Sequence, residues 1–243
     1  MTQSDSNVTF SGTEHWTKKG DVNLFLWNKA PDGSPKGTVL FVHGSSMASK
    51  PTFDLQVPGR PFSSVMDWFV SQEYVDPERV GLQGFSMGSL IGAHVAGTDP
   101  RVAAFGSWSG AIHDGDQSFY DETMLADCEA AGGRVDLDLG WRTIQHSCDF
   151  FSSMLAATAL SDLAPFARSM LLVVGSEDTV VLPSVSQNVA VSTASGDVTI
   201  EVIEGADHIF NVLTDDQALA EQAIAATAEW FAVKLWLAPL LKG

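Results

Sequence analysis

Three residues spread along the chain have the types that covalent acyl chemistry requires: Ser86, Asp178 and His208. Ser86 sits in Gly84-Phe85-Ser86-Met87-Gly88, a G-x-S-x-G pattern. The pattern follows an apolar run, Arg79 to Gln83, and opens a stretch of small apolar residues, Met87 to Ala96. A strand-to-helix turn this tight strains the serine backbone, and glycines nearby avoid clashes. The turn lifts the hydroxyl out of the sheet and aims a helix N-terminus at the reacting centre. A serine hydroxyl is a poor nucleophile near neutral pH, so it needs an imidazole base. The imidazole in turn needs a carboxylate to fix its tautomer and stabilise its charged form. Asp178 follows the run Met170 to Val174, and His208 follows Val198 to Ile203. Each residue therefore lies just past a different apolar run, where open α/β sheets build their ligand sites. Glu177 and Asp207 compete for the carboxylate role. Asp207 adjoins the base in sequence and is expected to point away from its Nδ1, while Glu177 comes one residue early in its turn. Asp178 is the expected acid.

Backbone N–H groups for a developing oxyanion are expected from Met87, directly after the nucleophile, and from Ser45. Ser45 lies in His43-Gly44-Ser45-Ser46, just past the run Thr38 to Val42, and Ser46 is its alternative. His43 is expected to bond its own loop. His15, His94, His113 and His146 read as surface or packing residues, with His113 placed to touch a substrate. Phe85, Trp108, Ile112, Phe151, Ile209 and Phe210 are the apolar residues nearest these positions and suggest a hydrophobic acyl pocket. No Cys/His spacing suggests zinc, and no metal or organic cofactor is implied.

The elements that must position these groups alternate. Val22 to Trp27 alternates in polarity and runs into the turn-rich Ala30 to Gly37. Thr38 to Val42, Arg79 to Gln83, Val102 to Ser107, Met170 to Val174 and Val198 to Ile203 are short apolar runs. Such runs read as strands buried on both faces of a parallel sheet. Helical patterns fall between them at Ser63 to Ser71 and Met87 to Ala96, with a long amphipathic one from Asp216 to Leu237. Alternation of this kind predicts an α/β fold with a mostly parallel sheet flanked by helices. From Ala111 to Phe166 no core strand is evident. Two helix-like pieces, Ser118 to Ala131 and Ser147 to Leu160, flank a Gly-rich middle there. A small helical lid over 111–163 is expected, inserted in a core made of 1–110 and 164–243. Its Trp141, Phe150, Phe151, Met154 and Leu155 are expected to face the body.

The chain has 243 residues, with 13 Lys+Arg against 30 Asp+Glu and a net charge of −17. That charge argues against a nucleic-acid partner, whose phosphates need a basic patch, and equally against an anionic membrane surface. Hydrophobic residues make up 45%, which fits a globular domain with a sizeable core. No apolar run reaches the length of a membrane span. Met1 to Asn7 lacks the layout of a secretion signal, so a soluble, cytoplasmic protein is expected. Asp outnumbers Glu and Lys is scarce, a surface also met in salt-adapted proteins, although an ordinary acidic enzyme is the simpler expectation. Cys128 and Cys148 do not make a disulfide framework and are read as reduced thiols, a single local bridge being the alternative.

FVHGSS, VDPERVGLQGFSMGSLIGAHVA, LLVVGSEDTVV and IEGADHIF together resemble the α/β-hydrolase superfamily. The D-P-x-R-V turn before the nucleophile run is similar to dienelactone-hydrolase-like and acyl-aminopeptidase-like members. The resemblance covers Val22 to Ala232 and implies Ser86 as nucleophile, Asp178 as acid, His208 as base, and Ser45 and Met87 as oxyanion donors. It also implies two strand–helix units between the His-Gly loop and the nucleophile strand, but Ser45 to Glu78 has room for one helix only. The fourth strand and its helix are missing. Either the second strand then pairs directly with the third, or the sheet has an open edge there. A homo-oligomer through that edge or through the apolar C-terminal segment is a further expectation.

A carboxylic ester hydrolase acting on small to medium acyl esters is the leading functional expectation. Peptidase or thioesterase activity with the same triad is the alternative, and a non-catalytic binding protein on the same fold is a third. Asp114 and Asp116 are the acids a peptidase could use to hold a substrate ammonium.

Overall fold

A computed structural model describes residues 10–19, 22–31, 38–42, 63–73, 75–138 and 143–237. The chain begins with an antiparallel hairpin, β1 (Phe10–Lys19) on β2 (Val22–Pro31). β3 (Thr38–Val42) then enters a separate five-stranded sheet. Helix α1 (Ser63–Val70) leads to β4 (Val80–Phe85), α2 (Met87–Thr98) and β5 (Val102–Trp108). After an insertion come β8 (Ser169–Gly175), α6 (Pro183–Ser192), β9 (Val198–Ile203) and α7 (Ala218–Ala232). The strand order is β3-β4-β5-β8-β9, and every pairing is parallel. All five runs are strands of this sheet, but burial on both faces holds for β4, β5 and β8 only: the outer strands β3 and β9 expose Phe41, Ile200 and Val202.

Alternation along the strands splits the core in two. Leu82, Val102, Phe105, Met170 and Leu172 face one side, where Met66 and Phe69 of α1, Leu90 and Ala93 of α2 and Val189 of α6 cover them. Ala104, Leu171, Val173 and Ile203 face the other, where Ala223, Trp230 and Phe231 of α7 and Leu235 just beyond it pack. Among the described residues one helix covers this second side.

Between β3 and β4 the described residues hold one helix, α1, and 43–62 lie outside them. β3 pairs directly with β4, and β1–β2 is a sheet of its own. Of the two outcomes considered, direct pairing of the second strand with the third is not the one seen: among the described residues β3 is an edge strand.

Between β5 and β8 lies the insertion. It contains α3 (Glu122–Ala130), the antiparallel pair β6 (Arg134–Asp138) and β7 (Thr143–Ser147), α4 (Cys148–Leu155) and α5 (Ala159–Leu163). The expectation of a purely helical insertion is therefore corrected. Val135 and Leu137 alternate inward against exposed Arg134, Asp136 and Asp138, which is strand periodicity. The insertion has its own core of Cys128, Phe150, Phe151 and Met154, against which Tyr120, Val135, Leu137 and Met87 of α2 pack. Its last helix belongs instead to the body, since Ala159, Leu160 and Leu163 join the main core. The reading of Cys128 and Cys148 as reduced thiols is also corrected. They form a disulfide between α3 and the start of α4, with Cα atoms 5.6 Å apart. Trp141, Ser45, Ser46, His43 and the tail after Leu237 lie outside the described residues.

No helix among the described residues is long and apolar enough to cross a membrane.

Candidate active site

Ser86 stands between β4 and α2 with φ 52° and ψ −121°, a backbone conformation that L-residues rarely adopt. The turn is held from both sides. Ser86 N–H donates to Trp108 O at 2.9 Å, while Ser86 O accepts from Ser89 N and Ala111 N. Gly84 is required by contact: a Cβ there would stand 2.5 Å from Ser89 Cα. The first residue of α2 is Met87, so its N–H points out of the helix N-terminus on the side of the serine.

Asp178 and His208 follow β8 and β9. His208 Nδ1 donates to Asp178 Oδ2 at 2.9 Å, and Ser86 Oγ donates to His208 Nε2 at 3.0 Å. The Asp178 side chain is fully buried. Its Oδ1 accepts from the N–H groups of Val180 and Val181 at 2.9 and 2.8 Å, so the carboxylate is satisfied and cannot swing away. An unpaired buried carboxylate would be costly, and these bonds make the position tenable.

The competing carboxylates are placed elsewhere. Asp207 Oδ1 accepts from Ile209 N and Asn211 N, which folds the loop carrying His208 into a tight turn. Phe210 and Asn211 in that turn both have positive φ. Glu177 is exposed. Asp114 caps α5: its carboxylate accepts from Leu160 N, Ser161 N and Ser161 Oγ. Burial works against ionisation of Asp114, but these donors outweigh it and hold the carboxyl below the usual range.

The six apolar residues divide. Phe85, Trp108, Ile209 and Phe210 line one cavity. Ile112 is buried in the main core and Phe151 in the core of the insertion. Of the remaining histidines, His94 pairs with Asp162 at 2.7 Å and His113 with the backbone O of Asp114. His146 is buried against the Phe150 ring, at 4.0 Å, and burial pushes its pKa down. Thr227, whose hydroxyl accepts from Trp108 Nε1 at 2.7 Å, is a positioning residue that the sequence did not flag, being one threonine on an Ala-rich helix.

A family model described as the Prolyl oligopeptidase family matches residues 60–235. The chain belongs to that family. No curated protein matches it. Among solved structures, Est1E from Butyrivibrio proteoclasticus is similar at a TM-score of 0.68 and 16% identity, over 92% of this chain and 100% of that one. A soluble variant of monoglyceride lipase from Saccharomyces cerevisiae, in complex with a substrate analogue, gives 0.67 and 13%, over 91% and 96%. The esterase domain of a Rhodothermus marinus protein gives 0.64 and 16%, over 91% and 97%. The fold is that of the α/β-hydrolases, with one strand–helix unit fewer among the described residues. A prolyl oligopeptidase family chain on this fold is a hydrolase, and the order Ser86, Asp178, His208 along it falls at the C-terminal ends of β4, β8 and β9.

Proposed function

We propose that the protein is a serine hydrolase that cleaves small to medium carboxylic esters through Ser86, His208 and Asp178. The observation that carries this is the unbroken chain of contacts from Ser86 Oγ through His208 to buried Asp178. Ser86 Oγ attacks the ester carbonyl carbon while His208 Nε2 takes its proton. The N–H of Met87, with that of Ser45 from the loop after β3, holds the oxyanion. His208 then gives the proton to the leaving alkoxide. In the second half His208 deprotonates a water that attacks the acyl-enzyme, and the carboxylic acid leaves as Ser86 recovers its proton. Asp178 keeps Nδ1–H pointing inward and stabilises the imidazolium. Residues 118–157 act as a lid whose core reaches Met87.

The test is labelling with a fluorophosphonate. Modification of Ser86 in folded protein, lost in Ser86→Ala, is expected; unmodified Ser86 overturns the reading. Peptide hydrolysis is the second reading, because the matching family is named for an oligopeptidase. Against it, Asp114 is engaged by α5 and does not offer a carboxylate for a substrate ammonium. Faster cleavage of aminoacyl anilides than of p-nitrophenyl esters would reverse this order.

A further inference from the structure

Beside the catalytic groups, on the side of the sheet that carries α7, lies an open chamber of about 320 Å³. Phe41 and Val42 of β3, Phe85 of β4, Trp108 of β5, Ile209 and Phe210 of the histidine loop, and Ala220 and Ile224 of α7 are among its walls. No described residue in the lining is charged. The lining amide, Gln83, donates its Nε2 to Gly84 O at 2.8 Å, so it already serves the strand. Its Oε1 has no hydrogen-bond partner among the described residues, so the walls offer a polar group one neutral acceptor and no charge. Phe41 is 61% exposed and Ile224 55% exposed, an open apolar surface of the kind that marks a binding site.

The chamber is tied to the chemistry at two points. Phe85 directly precedes Ser86, and its ring lies 5.5 Å from the His208 imidazole. Ile209 directly follows His208. An apolar cavity of about 150 Å³ holds one six-carbon ring, so this chamber has room for a chain of roughly a dozen carbons.

We infer that the chamber receives an unbranched or lightly branched apolar chain of the ester undergoing cleavage, of up to roughly a dozen carbons. This rests on the ester-hydrolase reading above. The chain comes either from the acyl half or from the alcohol half, and two substrate series separate these sources.

The experiment compares the wild-type protein with Ala220→Phe and Ile224→Phe, which fill the chamber from α7. One series is p-nitrophenyl esters from acetate to dodecanoate; the other is n-alkyl acetates from methyl to decyl. kcat/KM is expected to climb in one series, by up to about fourfold per buried methylene, and to level off near roughly ten carbons. In the filled variants the long-to-short ratio in that series is expected to fall by at least about tenfold. A climb in the p-nitrophenyl series assigns the acyl chain, and a climb in the acetates assigns the alcohol. Flat profiles in both series, or a climb that neither variant alters, overturn the inference. A binding arm keeps the outcome separate from catalysis. In Ser86→Ala protein, 1-decanol is expected to change tryptophan fluorescence, an effect lost in Trp108→Phe and weakened in Ala220→Phe. Absence of decanol binding overturns the inference even if Ser86 is labelled. Failure of labelling with decanol still bound overturns the hydrolase reading, and the ester with it, while the apolar-chain site stands.

Discussion

Ser86 owes its position to neighbours that have no chemistry of their own. Trp108 O, Ala111 N and Ser89 N hold a backbone that would otherwise relax out of φ 52°. Asp178 plays the same part for the base. Asp178→Asn keeps the size and the backbone bonds but favours the wrong imidazole tautomer. It is expected to lower kcat by about 10³-fold or more with an unchanged melting temperature, measured with a p-nitrophenyl ester and a thermal melt. That Ser86, Asp178 and His208 meet was legible in the sequence because each follows a different apolar run, and parallel strands bring those ends to one edge of the sheet. Asp207 was set aside in that reading, and its carboxylate is engaged in folding the loop that carries His208. Ile112 and Phe151 were misplaced because apolarity does not state direction. A phenylalanine near a site in sequence packs a core as readily as it lines a cavity.

Among the elements, the insertion departs furthest from what the sequence foretold. β6 and β7 were hidden because both are short and carry polar residues on one face, a weak signal beside the two helical patterns. β1 was missed for a similar reason, since FSGTEHWTKK has no apolar run. α6 was missed because PSVSQNVAVS is rich in Ser and Val, residues of modest helix propensity. His146 sits at the centre of the insertion, and its Nε2 has no hydrogen-bond partner among the described residues. Burial depresses its pKa from 6.5, so the folded form resists a proton that the unfolded chain accepts. Stability is therefore full above about pH 6.5 and declines as pH falls below it. His146→Phe is expected to remove that part of the decline, read as a smaller difference between melting temperatures at pH 8 and pH 5.5. The disulfide closes a separation of 20 residues, worth about 3 kcal/mol on loop entropy. In Cys128→Ser/Cys148→Ser protein, amides of α3 and α4 are expected to exchange roughly 100-fold faster, while those of β4 and β5 hold. Unchanged exchange would show that packing alone holds the insertion.

At the scale of the molecule, the −17 net charge acts on stability through self-repulsion. Salt screens it, so the melting temperature is expected to rise by roughly several degrees between about 0.05 and 1 M NaCl. A flat response would remove the salt-adapted reading of the Asp-rich surface. The sheet order was partly legible. The short span from Ser45 to Glu78 foretold one missing unit, but whether the hairpin would close the gap depends on pairing, which no local pattern encodes. It does not close it, and β3 stands at the edge. A last consequence follows from how the insertion joins the body. Asp114 bridges to Thr158, Gly115 N–H donates to Ala157 O at 2.8 Å, and the Asp114 carboxylate clasps the start of α5. Chain enters and returns through one pinched neck, which makes the insertion a detachable module on an independent chassis. Excision of 116–156 with a short glycine bridge is expected to leave one cooperative melt and a Ser86 that still takes the fluorophosphonate. The same neck would accept a foreign module, so selectivity could be transplanted between hydrolases without rebuilding the sheet beneath.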